Sequence, residues 1–507
     1  MSMRPRWFRR ALLGAVVLLP ALVGPARLAA ATPSVAPAAD RPWVPAAGEK
    51  PAPLLVPEAG AAASIPAGTQ VTLAQVLDLA LRNSPVTRET WLAAKAAAAE
   101  VGVQRAQYYP TLNAGANLTR VQQAQVGGTF HVRQTTYGPT AEFSFLLFDL
   151  GGRRGDLDEA KQALLAADWS HNAAIQDVVL NVQRAYYSYL GSVGLRDSLL
   201  GSIKQAEVSV NSAEARRGAG LATIADVLQS RTLLEQERLA LAQTEGDMKS
   251  IKGALATAVG LPPNIEVEVS TLGALPKDLP ELPGLMGSTA DMGKLLQTAL
   301  ADRPDLLAER ARVNAAAARI AQERSAGLPS LSFDTTANRT FYDHVPGSRP
   351  STNYSAQLAL RVPLFTGFET KFKVAKAKAE ADLEQARLDQ AVQQTMLDVW
   401  TSYYKLQTAA QSVASSRALL DSAGQSADVS GGRYKEGVGD ILELLTSQSA
   451  LADARAREIV SRAQWFIALA ELQRATGALQ LALPGTDDPD NSANPPIPTA
   501  TEPQAHP

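Results

Sequence analysis

The chain has 507 residues, 48 Lys and Arg against 50 Asp and Glu, and no cysteine. The balanced charge excludes the basic face that nucleic-acid binding needs. The missing cysteine excludes disulfides, thiolate metal sites, a cysteine nucleophile and lipidation on cysteine. The length predicts roughly two to four domains.

Arg4, Arg6, Arg9 and Arg10 precede an apolar run from Ala11 to Gly24, and small residues follow at Ala29, Ala30 and Ala31. This order predicts a cleaved export signal over residues 1–31. The competing reading, a membrane anchor, needs about 20 apolar residues, and the run has about 14. Residues 32–70 are rich in Ala and Pro, and read as an extended, disordered linker. The tail, residues 478–507, reads the same way. Between them no stretch is apolar enough for a membrane helix, so any span must be a closed β-barrel.

The middle of the chain is written twice. Ala80 and Leu81 with Pro85 recur as Ala299 and Leu300 with Pro304, and Pro110 and Leu112 recur as Pro329 and Leu331. These pairs share an offset of 219 (299 − 80 and 331 − 112). Farther on the offset is 217 (403 − 186 and 437 − 220), where Tyr186-Tyr187 matches Tyr403-Tyr404, Gly220 matches Gly437, Leu228 matches Leu445 and Gly260 matches Gly477. A constant register predicts two copies of one unit, residues 71–260 and 291–477, joined by a linker over 261–290.

Each copy begins with an Ala-rich helix, Leu73 to Gln107 and Met292 to Arg324, with Pro85 and Pro304 as expected breaks. Strand pairs follow at about 111–121 with 138–149, and 330–340 with 353–365. Leu112, Ala114, Ala116 and Leu118 alternate with polar residues, as do Phe143, Phe145 and Leu147, then Leu331 and Phe333, then Tyr354, Leu358 and Leu360. Such strands suit a barrel between lipid and water, although a soluble sandwich alternates in the same way. Four strands are too few to close a channel, so a wide barrel needs several chains.

A helix from Asp156 to Arg217, and its counterpart from Thr370 to Lys435, would each reach roughly 90 Å. Val179, Val182, Tyr186, Tyr189 and Val193 recur at three and four, as do Met396, Val399, Tyr403, Leu406, Ala410 and Val413. That spacing is a coiled-coil seam, and seam packing accounts for the tyrosine pairs. Second helices are expected over Ile224 to Val259 and Ile441 to Thr476.

Over Thr72 to Leu479 the chain resembles the TolC-like outer-membrane efflux family. The resemblance rests on the duplication, the Pro-x-Leu before each strand pair, Phe148-Asp149 and Phe365-Thr366 after it, and the helix breaks. Those breaks read Arg216-Arg217-Gly218-Ala219-Gly220-Leu221 and Arg433-Tyr434-Lys435-Glu436-Gly437-Val438-Gly439. The resemblance implies a mixed α and β membrane protein. Three copies would supply four strands each to a 12-stranded transmembrane barrel, continuous with a periplasmic α-helical barrel. It further implies that Gly220, Leu221, Gly437 and Val438 meet a periplasmic adaptor, and that an inner-membrane transporter supplies the energy. Asp226 and Tyr434 match positions of the closing network, and Glu443 matches an acidic ring at the inner entrance. Gly439 stands where that network has an Arg, and Thr446 where a second acidic ring would stand, which implies a single-ring, more weakly latched entrance. The bland alternative makes Asp226 and Glu443 ordinary solvated helix charges.

The four histidines, at 131, 171, 344 and 506, show no ligand spacing. No phosphate-cradling glycine loop and no nucleophile elbow occurs, so neither a cofactor nor an enzyme is expected. The reading is an outer-membrane export duct. An exported coiled-coil scaffold without a pore is the alternative, and the alternating strand pairs argue against it.

Overall fold

The computed structural model describes residues 38–41, 71–124, 131–265, 289–343 and 349–478. The expected signal (1–31), most of the linker (32–70), residues 266–288 of the inter-repeat linker and residues 479–507 of the tail lie outside the described residues.

The first copy opens with helices α1 (Leu73–Asn83) and α2 (Pro85–Ala106). A capping box between Thr72 and Gln75 starts α1. Ser84 ends α1 in an extended conformation, as a residue before proline prefers, and its hydroxyl accepts from the Thr87 N–H to start α2 with Pro85 in the first turn. The second copy repeats the break, with α5 (Thr289–Asp302) and α6 (Pro304–Ser325) on either side of an extended Arg303. Each proline therefore separates two helices.

Strands β1 (Thr111–Ala124), β2 (His131–Phe148), β3 (Ser330–Asp343) and β4 (Ser351–Arg361) form one antiparallel sheet in the order β1-β2-β3-β4. All four strands run past one of their expected ends. In particular, β2 begins at His131 rather than 138, because Ala124 pairs with His131 and the ladder continues from there. The added stretch is mostly polar, so alternation did not mark it. β4 stops at Arg361 rather than 365, just short of Pro363, which has no N–H to give the ladder.

The register puts all the apolar alternation on one face. Leu112 lies opposite Phe143, and Ala114 opposite Ala141. Phe145 lies opposite Phe333, which lies opposite Leu358, while Leu331 lies opposite Leu360. The other face carries Asn113, Glu142, Thr336 and Ser355 in one cross-strand row. The apolar face stands uncovered in a single chain, with Leu112 at 76%, Tyr354 at 80% and Leu360 at 66% exposure. Both edge strands, β1 and β4, have one unpaired side within the chain.

From the sheet the chain turns through left-handed residues, Leu150 and Gly151 in one copy, Gly367 and Phe368 in the other, into helices α3 (Gly152–Gly218) and α7 (Glu369–Lys435). Each has 67 residues and is about 100 Å long. Arg153 fixes this junction. It is buried, donates to the carbonyls of Leu146, Leu147 and Gln107, and lies over the Tyr108 ring. One guanidinium thereby ties α3 to the end of β2 and the end of α2.

Helices α4 (Ile224–Ala258) and α8 (Ile441–Ala475) return antiparallel to α3 and α7. The expected seam is buried at Val179, Val182, Tyr186, Tyr189 and Val193 of α3, and at Val399, Tyr403, Leu406 and Val413 of α7. These residues join Trp465, Phe466 and Leu472 of α8 in the main core, where each fully buried aliphatic side chain stabilises by about 1.5–3 kcal/mol. Two expected positions differ: Ala410 is half-buried, and Met396 is 42% exposed.

Residues 38–41, within the stretch read as disordered linker, are docked instead. Ala39 packs with Trp91, Leu165 and Trp169, and the Arg41 carbonyl accepts from His171 Nε2 at 3.0 Å. The contact uses a backbone carbonyl and a methyl group, which composition does not advertise. No helix among the described residues is long and apolar enough to cross a membrane.

Candidate functional site

Both long helices end in the same way. Gly220 and Gly437 adopt positive φ, 78° and 76°, a region that only glycine enters without strain. Leu221 N–H donates to Arg216 O at 2.8 Å and Gly220 N–H to Arg217 O at 2.9 Å; Val438 N–H donates to Arg433 O at 3.0 Å and Gly437 N–H to Tyr434 O at 3.2 Å. This six-to-one and five-to-two pair satisfies the last carbonyls of each helix and reverses the chain. The turn thrusts Leu221 and Val438 outward, 77% and 70% exposed.

The sequence-expected residues all lie within these two reversals or the first turns after them, but they do not meet as one cluster. Asp226 caps its own helix: its carboxylate accepts from Thr223 N–H at 2.7 Å, and its N–H donates to the Thr223 hydroxyl at 3.3 Å. Glu443 occupies the equivalent position in α8, yet Arg433 takes it at 3.1 Å. Asp440, before α8, makes no side-chain capping bond. One repeat thus spends its carboxylate on a cap and the other on an ion pair, with both partners of that pair about half exposed.

Tyr434 is buried in a small core with Leu233, Ile441, Leu444 and Leu445, which joins α4, α7 and α8. Its hydroxyl has no hydrogen-bond partner among the described residues. Above its ring, at 4.1 Å, sits the Arg216 guanidinium. Arg216 also donates to the carbonyls of Tyr434 and Lys435, at the C-terminal end of α7 where a cation is favoured. Arg216 is the repeat counterpart of Arg433, but it crosses to the other copy's reversal instead of pairing with Asp226. Sequence reasoning placed Arg216 in the break motif without a role. The available signal was its equivalence to Arg433 beside an acid of the other copy.

Gly439 packs against the end of α7. Its N–H shares the Arg433 carbonyl with Val438, and a Cβ placed there would lie 3.0 Å from Arg433 Cβ and from Tyr434 N. Among the described residues, no group of acidic, histidine or cysteine side chains could hold a metal ion.

Known proteins resemble this chain in sequence and in fold. The sequence profile of outer membrane efflux proteins matches residues 76–261 and 295–478, one stretch per repeat. Protein CyaE of Bordetella pertussis is 31% identical over 415 residues, covering 81% of this chain and 84% of the relative. Outer membrane protein OprJ of Pseudomonas aeruginosa is 28% identical over 414 residues, covering 80% and 84%. A crystal structure of a membrane protein from Pseudomonas aeruginosa superposes with a TM-score of 0.71 at 26% identity, over 80% of this chain and 92% of the other. The outer-membrane channel OprN superposes at 0.69 with 20% identity, over 80% and 90%. With both repeats matched, the chain belongs to the outer membrane efflux protein family.

Proposed function

We propose that this protein is one third of a passive export duct, in which three copies close a 12-stranded barrel through the outer membrane and extend it as a helical tube into the periplasm. The observation that carries the proposal is the open sheet. One face is apolar from β1 to β4 and the other polar, which suits lipid outside and water inside, and two unpaired edges in one chain are an aggregation liability unless they meet other copies. Strands of 14, 18, 14 and 11 residues reach or exceed the 9–11 or so that a tilted span requires.

In this reading the two reversals form the inner entrance. The outward Leu221 and Val438, beside Gly220 and Gly437, offer apolar tips to a periplasmic adaptor, and an inner-membrane transporter delivers cargo and energy. Tyr434 and Asp226 belong to the closing contacts. Three copies of Glu443 around the axis favour cations, as acidic rings do, and each is offset by its own Arg433. Purified protein run unheated on a denaturing gel should migrate as a trimer and conduct in a planar bilayer. Monomers without conductance would refute the proposal. Glu443→Gln leaves Arg433 unpaired and should lower cation over anion permeability, read as a shift in reversal potential under a salt gradient. An unshifted potential would remove Glu443 from the ring.

A further inference from the structure

The apolar face of the sheet ends, toward the hairpins, at a row of large side chains. Leu118, Tyr137 and Phe341 lie opposite one another across β1, β2 and β3. The Tyr137 and Phe341 rings stack with centroids 5.4 Å apart and planes 17° from parallel. Phe341 stands ten residues beyond Leu331, which is about 34 Å of strand and about 25 Å across a membrane once tilted as in a barrel. Outer-membrane barrels carry an apolar band of that height with aromatic rings at its borders. In the duct this row therefore meets the headgroups of the leaflet remote from the helical tube.

Two arginines flank the row on the same face. Arg120 lies two residues beyond Leu118 on β1, and Arg339 two residues before Phe341 on β3. Both are exposed. Their Cα atoms are about 17 Å apart, two strands across and four residues along. Arg339 narrows that gap by laying its guanidinium over the Phe341 ring, 5.4 Å from the centroid, so its charge leans toward the border. Asp343 shares this face in the row of Arg120 and Thr135, but among the described residues no ion pair joins it to either arginine. From Arg339 toward the helices this face carries no charged residue among the described ones.

These positions specify a ligand. A charge on a lipid-facing strand is strongly disfavoured at the membrane centre and tolerated at the border. A guanidinium at the border is best matched by phosphate, which its planar fork meets with two bonds. The stacked rings between the arginines add a flat apolar surface of the kind on which sugar rings lie. Closing a barrel engages the backbones of β1 and β4 and leaves the outward side chains free.

We propose that Arg120 and Arg339, on either side of the Tyr137–Phe341 pair, hold the phosphates of a glycolipid headgroup in the leaflet remote from the helices. The site rests on the multi-copy duct above and names a lipid that seats its outer rim. Wild-type trimer, stripped of lipid in detergent and titrated with diphosphoryl lipid A, should retain the lipid in native mass spectrometry. Arg120→Gln combined with Arg339→Gln should raise the half-saturating lipid A concentration at least tenfold. Arg120→Lys with Arg339→Lys keeps the charge without the fork and should fall between. Arg361→Gln, on the opposite face of β4 and paired with Ser330, should bind as wild type does. Phosphatidylglycerol, a phosphate without a sugar ring, should bind at least tenfold more weakly, and equimolar inorganic phosphate should not displace lipid A.

Equal lipid A binding by wild type and the glutamine pair overturns the site. If the glutamine pair does not assemble, the lysine pair decides by the same criterion. Phosphatidylglycerol bound as tightly as lipid A, or displacement by equimolar inorganic phosphate, overturns the glycolipid as the ligand. A wild-type trimer that conducts but retains no lipid A overturns the site and spares the duct. A monomeric wild type overturns both.

Discussion

Arg216 is the side chain whose removal should most selectively loosen the helix reversals. It makes two charge-assisted bonds to the final carbonyls of α7, to Tyr434 and Lys435, and covers the Tyr434 ring at 4.1 Å. The site is partly exposed, so each bond counts about 0.5 kcal/mol, the low end for a net intramolecular hydrogen bond, and the cation–π contact adds about 0.5 kcal/mol. With the helix-end charge interaction the total is about 2 kcal/mol, or roughly 30-fold in a local opening equilibrium, since 1.4 kcal/mol is tenfold. Arg216→Ala should therefore speed amide exchange of Glu436, Gly437 and Val438 by about 30-fold, because these N–H groups bond back to Gly432, Tyr434 and Arg433. Arg216→Lys keeps the charge but loses the fork and should fall between. Peptides from the middle of α3 serve as the internal reference. If Arg216→Ala exchanges at the wild-type rate over 436–438, or if the middle of α3 accelerates equally, the bridging role is wrong.

Two further substitutions test the upper half. Arg153→Ala removes the donors to the part-buried carbonyls of Leu146, Leu147 and Gln107, which should cost about 2 kcal/mol and lower the temperature at which the folded protein melts. Arg153→Lys should recover little of it, because one ammonium cannot span three carbonyls. His171 is buried between Thr90 and the Arg41 carbonyl, and burial pushes its pKa below the ordinary 6.5. A depressed histidine pKa means that docking of residues 38–41 is fully supported above pH 6.5 or so and weakens as pH falls toward the depressed value. Protection of the amides of residues 38–41, measured against their intrinsic exchange rates at each pH, should fall as pH drops below about 6.5 in wild type. The same protection should stay flat in His171→Gln, which does not titrate; equal pH dependence in both would refute the role of His171.

What could be read from the sequence was whatever the chain repeats. The prolines before α2 and α6, the strand alternation and the glycines ending α3 and α7 each occur twice, and a local physical rule explains each: the conformation before proline, the period of the pleat, positive φ. What escaped was asymmetric. Arg216 and Arg433 hold equivalent positions beside Asp226 and Glu443, yet only Arg433 takes its acid. The choice depends on whether Tyr434 of the other repeat offers a ring, a contact 218 positions away. Met396 has the seam spacing, yet within one chain it is 42% exposed. Residues 38–41 dock through a backbone carbonyl, and composition is blind to that.

Gly439 shows why a resemblance has to be checked against packing before a residue is transferred. The family pattern has an Arg here in the closing network, so its absence suggests a looser latch that Gly439→Arg would tighten. The geometry argues the opposite. Gly439 N–H is already committed to the Arg433 carbonyl at 3.0 Å, and any Cβ would press on Arg433 Cβ at 3.0 Å and on the Arg433 carbonyl carbon at 3.1 Å. Both neighbours belong to the last turn of α7, whose position also sets the Tyr434 ring under Arg216 and the Arg433–Glu443 pair. Relieving the clash means moving that turn, at about 1–3 kcal/mol, the usual cost of overpacking. Gly439→Arg should therefore loosen this reversal, raising exchange at 436–438 and, in the proposed duct, single-channel conductance. Reduced conductance with unchanged exchange would mean that the turn yields freely and that the transferred Arg does latch.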